Sequence, residues 1–78
     1  MEQKIRNVVG SVLGLSEKES ANIDQNESLL DYGLDSMNSI EIIVSIEEEF
    51  SISIEVEDLT VESVGSINGL IKLVNKYL

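Results

Sequence analysis

The sequence predicts an all-α bundle of four helices, three longer and one short, in a single domain covering residues 1–78. Three observations carry that prediction. Apolar residues recur with a period near 3.6 in three separate segments. Proline is absent, so turns fall to Gly, Asn, Asp and Ser. The one alternating run, "SISIEVEDL", has no second run to pair with, and a lone strand is not stable.

The elements follow in chain order. Ile5, Val8, Val9, Val12 and Leu13 set the i, i+3, i+4 pattern of a first helix over 2–14, with Gly14 as its stop. Residues 15–35 then read as a long polar connection. Connections of more than about a dozen residues are uncommon in a small domain unless they have a function or are disordered. Leu15, Ile23, Leu29 and Leu30 are the apolar residues expected to pin it to the core. A second helix is predicted over 36–50. The alternating run reads as a loop leading to a short third helix near 56–63. Ser66 caps a last helix over 67–77, with Ile67, Leu70, Ile71 and Val74 on its inner face.

Composition limits the function. With no Cys and no His, the chain has no disulfide and no Ser-His-Asp triad. Fifteen acids face five bases, and from Glu19 to Ile71 thirteen acids occur with no base among them. A field of one sign repels nucleic acid and anionic membranes and steers basic protein surfaces into contact. It also simply keeps a small protein soluble. No apolar stretch is long enough to span a bilayer, and the start at Met1 is neither basic nor apolar enough for a secretory signal. The expectation is a discrete, cytoplasmic, monomeric protein that binds neither nucleic acid nor membrane.

The predicted second helix has two apolar faces. At about 100° per residue, Ile42, Ile43, Ile46 and Phe50 fall in one stripe that suits the core. Met37, Ile40 and Val44 centre on the opposite side. Glu41 and Glu48 share that outer face, and Glu47 lies on its edge. An apolar patch with a charged rim suits protein docking. The alternative is that Met37 or Ile40 packs beneath the long connection or against the short helix, as part of a helix buried all round.

The segment "DYGLDSMNSIEI" sets Ser36 between a turn and this helix. A nucleophilic serine needs a neighbouring base, and none is at hand; the Gly-x-Ser-x-Gly elbow is also absent. Gly33 permits a sharp turn, and Asp35 or Ser36 can cap the helix. The amino end of a helix suits a phosphate ester. Ser36 is thus either a plain cap or a residue modified by another enzyme.

"YGLDSMNSIEIIVSIEEEF" resembles the signature of acyl carrier proteins and their peptidyl and D-alanyl relatives, a Gly-x-Asp-Ser element followed by an apolar residue and an acidic second helix ending in Phe. Chain length, long first loop and short third helix agree with it. The resemblance implies an acyl-carrier-like bundle that is not itself an enzyme. It implies a 4′-phosphopantetheine arm placed on Ser36 from coenzyme A by a phosphopantetheinyl transferase, with Asp35 as the residue preceding it. The thiol of that arm would hold an acyl or aminoacyl thioester. The helix-two face of Met37, Ile40, Glu41, Val44, Glu47 and Glu48 would then meet basic surfaces of acyl-transferring, condensing or adenylating enzymes. Leu34, where fatty-acid carriers usually have Ala, points toward polyketide or other secondary-metabolite carriers. Leu-Asp-Ser-Met also occurs in D-alanyl carriers. A cofactor-free acidic interaction module is the alternative of another class.

Overall fold

The computed structural model describes residues 1–78 as an all-helical bundle of five α-helices. They are α1 (Glu2–Leu13), α2 (Glu17–Ala21), α3 (Ser36–Phe50), α4 (Val61–Val64) and α5 (Ile67–Tyr77). Two 3₁₀ turns, Leu29–Tyr32 and Val56–Asp58, complete the chain. The three longer helices, α1, α3 and α5, bury Ile5 and Val9, Ile42, Ile43 and Ile46, and Ile67, Leu70, Leu73 and Val74 against one another. These follow the stripes that the 3.6-residue period marks, except that on α5 Leu73 is buried and the expected Ile71 is only half-buried.

The connection after α1 is more structured than a bare loop. Ser16 and Glu19 form a reciprocal capping box that starts α2: Glu19 N donates to Ser16 Oγ at 3.1 Å, and Ser16 N donates to Glu19 Oε1 at 3.0 Å. Two otherwise unpaired backbone donors are satisfied, which makes so short a helix tenable. Ile23 and Leu29 are buried and Leu15 is half-buried, as the sequence suggests. Leu30 is not a pin; it is 62% exposed. The 3₁₀ turn at 29–32 sends successive side chains to different sides, so burying Leu29 turns Leu30 outward.

Arg6 is the one buried charged residue. Its Nη1 donates to the carbonyls of Ser20, Ile23 and Ala21 at 2.8, 2.7 and 3.3 Å, and its Nε pairs with Glu2 at 2.8 Å. The connection is tied on its other side as well. Leu29 N donates to Gly65 O and Asn68 N donates to Gln25 O, each at 2.8 Å.

The predicted third helix is also divided. The chain runs extended after α3, makes the turn at 56–58, and forms α4 only from Val61, where Thr60 Oγ1 accepts from Ser63 N at 3.1 Å. Ser66 caps α5 as expected, accepting from Gly69 N at 3.0 Å. A clasp joins the two ends of this half. Lys76 Nζ lies 2.5 Å from Asp58 Oδ1, and the Tyr77 hydroxyl donates to Asp58 Oδ2 and accepts from Glu55 N at 2.9 Å.

Candidate functional site: an exposed serine at the mouth of an apolar cleft

Gly33 makes the turn into α3 with φ of +97°, a conformation that side chains other than glycine's disfavour. Leu34 N donates to Leu29 O at 3.2 Å, which ties the turn to the buried part of the connection. Tyr32, half-buried before the turn, donates to Glu27 Oε1 at 2.7 Å, and this bond raises the phenol's pKa.

Asp35, not Ser36, is the cap of α3. Its Oδ1 accepts from Met37 N and Asn38 N, both at 2.9 Å. Asn38 completes a capping box by accepting from Asp35 N at 2.6 Å, and its Nδ2 donates to Gly33 O at 3.0 Å. Two amides that a helix end could offer to a phosphate are therefore already occupied. An anion on Ser36 must project outward rather than sit on the helix end.

Ser36 is the first residue of α3 and is exposed. Its hydroxyl makes no hydrogen bond within the protein; only its carbonyl does, accepting from Ser39 Oγ at 3.0 Å. A free hydroxyl at a fixed place on a capped helix is a suitable acceptor for a group brought by another enzyme. It is not an activated nucleophile, since no base stands beside it.

Ser36 opens onto a cleft of about 800 Å³. Leu34, Ile40 and Val44 line one side, Ile54, Leu59 and Val61 the other, and Ile43 and Val64 also contribute. Neither lysine nor arginine lines it. A volume of this order accommodates a small apolar ligand or an extended flexible chain. The lining therefore fits a group anchored at Ser36 and laid along the cleft, and offers no cation to hold a free anion.

The outer face of α3 lies where the helical wheel puts it. Met37, Ile40 and Val44 are 75%, 65% and 46% exposed, and Glu41 and Glu48 are exposed beside them. Ile40 does not pack beneath the connection. Glu47 differs from its neighbours: it is half-buried, and its Oε2 accepts from Ile54 N at 2.8 Å. Sequence reasoning missed the other cleft wall, formed by Ile54, Leu59 and Val61. Val56 and Val61, 79% and 82% exposed, are the available signal: a short apolar run left uncovered after a long helix.

Comparison with known proteins agrees with this geometry. A family model described as a phosphopantetheine attachment site matches residues 3–74. The chain is 35% identical over 80 aligned residues to an acyl carrier protein of Buchnera aphidicola subsp. Baizongia pistaciae, covering 100% of this chain and 95% of that protein. Its fold is similar to the solution structure of a holo acyl carrier protein from Nitrosomonas europaea, with a TM-score of 0.84 and 25% identity over 96% of this chain and 92% of that one.

Proposed function

The chain belongs to the acyl carrier protein family, and from that premise we propose that it is a discrete carrier whose 4′-phosphopantetheine arm is attached at Ser36. The arm supplies a thiol that holds acyl groups as thioesters. The protein's own residues present the attachment hydroxyl, shelter the cargo and dock partner enzymes. One observation carries the assignment of the site: Ser36 alone combines a free, exposed hydroxyl with a place at the mouth of the apolar cleft. Asp35 fixes the helix start beneath it. The pathway that fits best is polyketide, fatty-acid or related secondary-metabolite biosynthesis, in the cytoplasm. No helix is long and apolar enough to cross a membrane.

Docking falls to the face of Met37, Ile40, Glu41, Val44 and Glu48; Glu47, which the sequence sets at the edge of that face, is half-buried and turned to Ile54 N. Exposed apolar side chains with an acidic rim complement a basic partner surface. Such surfaces belong to the phosphopantetheinyl transferase and to the enzymes that load and use the cargo.

A second reading, an aminoacyl carrier loaded by an adenylating enzyme, rests on Leu34 and Met37 flanking the Asp-Ser pair. Two experiments in sequence decide. Intact mass after incubation with coenzyme A and a phosphopantetheinyl transferase should rise by one phosphopantetheinyl group, and Ser36→Ala should stay unmodified. A folded wild-type protein that gains no mass refutes the carrier assignment. The modified protein is then offered to acyl-transferring and adenylating enzymes; loading only by the latter would favour the aminoacyl reading.

A further inference from the structure

The four acids of α3 are not equivalent. Glu41, Glu48 and Glu49 are exposed, whereas Glu47 is half-buried and its carboxylate turns toward the chain that leaves the helix. Three amides of that chain end on this one residue. Ser51 N and Ile52 N donate to the Glu47 carbonyl, and Ile54 N donates to its carboxylate. The intervening Ser51 is the only non-glycine residue with positive φ, at +54°. A left-handed backbone is unfavourable for serine, so the turn persists because other bonds hold it. The carbonyl bonds would form with any residue at 47, whereas the bond to Ile54 N belongs to the Glu47 carboxylate; both Glu47 and Ile54 line the cleft that Ser36 also lines.

We propose that Glu47 is a positioning residue of the cleft, which holds the segment around Ile54 in place as the wall opposite Val44, and that it is not one of the charges by which partners dock. Its acceptor oxygen matters here, and its charge matters little to docking. Glu41, whose carboxylate makes no contact within the protein, is the contrasting case. The proposal rests on the carrier reading only for the meaning of the cleft; the local geometry stands without it.

The two roles separate on substitution. Glu47→Gln removes the charge and keeps a carbonyl oxygen able to accept from Ile54 N. Glu47→Ala removes both. Glu41→Gln removes charge from the free face. On the unmodified protein, amide exchange at Ile54 and uptake of the neutral dye Nile red report the wall. Exchange at Ile43, in the middle of α3, is the reference that separates local opening from global loss of stability. Glu47→Ala should speed Ile54 exchange by about tenfold or more relative to Ile43, as expected for losing a hydrogen bond to a charged acceptor, and should raise dye uptake. Glu47→Gln, which keeps a neutral and weaker acceptor, should fall between Glu47→Ala and wild type in both. The salt dependence of the transferase KM for the carrier should weaken in Glu41→Gln and remain unchanged in Glu47→Gln. The proposal is overturned if Glu47→Ala leaves Ile54 exchange at its wild-type ratio to Ile43. It is equally overturned if Glu47→Gln alters the salt dependence as much as Glu41→Gln does. Should the transferase fail to modify the wild type, the carrier reading fails, and the exchange and dye results decide the role of Glu47 by themselves.

Discussion

Replacing Arg6 with Met should be the most damaging single change outside the apolar core. The guanidinium is nearly inaccessible, and it donates to the buried carbonyls of Ser20 and Ile23 at 2.8 and 2.7 Å. Hydrogen bonds from a charged donor contribute roughly 1.5–3 kcal/mol each. The weaker contact to Ala21 and the pair with the exposed Glu2 are left out of the sum. Met preserves the packing of the side-chain stem, so the loss reflects the two carbonyls. Partial relaxation of the connection lets water reach them, which places the cost at about 3 kcal/mol, the lower end for breaking a buried charged contact. A domain of this length has a total stability of roughly 4–12 kcal/mol. At about 4–8 °C per kcal/mol, Tm should fall by about 12–24 °C. Arg6→Lys keeps the charge, but a single ammonium must stand in both for the Nη1 that meets the carbonyls and for the Nε that pairs with Glu2, so it should fall between Met and wild type. Thermal melts followed by circular dichroism measure this. They should be run at high salt, because Arg6→Met also makes the chain one unit more acidic. A fall of less than about 4 °C, or a Lys variant no better than Met, would show that the carbonyls find water easily and that Arg6 does not pin the connection.

Other outcomes follow from the same structure. Charge reversal at Glu41 or Glu48 should weaken productive encounter with the transferase at low salt, leave the melt unchanged, and lose its effect as salt screens the field; partner kinetics that stay the same at low and high salt would count against the docking face. Salt or divalent cations should raise the wild-type Tm, because thirteen acids without an interspersed base repel one another; a flat response would contradict this. The Asp58 clasp sets a pH window. Bonds from Lys76 and then Tyr77 hold the Asp58 pKa below its ordinary 3.8, so its contribution is present above that pH and is lost as pH falls through the lowered value. Bonding to Asp58 raises Tyr77 above 10.0 and Lys76 above 10.5, so the alkaline limb is intact below pH 10.0 and is lost as pH climbs through the raised values. The Tm difference between wild type and Asp58→Asn should thus plateau between these limits and shrink beyond both.

Local signals in the sequence were legible, and contacts distant in sequence were not. Periodicity identified α1, α3 and α5 and the core stripe of Ile42, Ile43 and Ile46, because a helix repeats its environment every 3.6 residues. The place of Ser36 at the entrance of α3 was legible in the turn and apolar run that flank it, and the outer face of α3 in the wheel. The Ser16-x-x-Glu19 pattern announces α2 and was readable as a capping box; treating 15–35 as one polar run hid it. By contrast, no local pattern tells that Arg6 serves carbonyls 14–17 residues away. The wheel sets Glu47 at the edge of the outer face, but it does not tell that a loop folds back onto the helix and bonds its carboxylate. The choice between Leu29 and Leu30 depends on the phase of a 3₁₀ turn, which two adjacent leucines leave undetermined.

The helix start beneath Ser36 has a consequence for how occupancy is controlled. Asp35 fills two of the amides there, the neighbouring cleft has no cation, and the chain as a whole is acidic. Free phosphopantetheine or coenzyme A would meet an acidic field and no cation to offset it, so loading falls to covalent transfer rather than to mass action. Titrating either compound should leave the amide resonances around Ser36 unmoved. Once a phosphodiester bond is made, dilution cannot reverse it and a rise in free cofactor cannot compete with it. The fraction of molecules carrying the arm is then a record of past enzymatic events, insensitive to the concentration of cofactor at any moment.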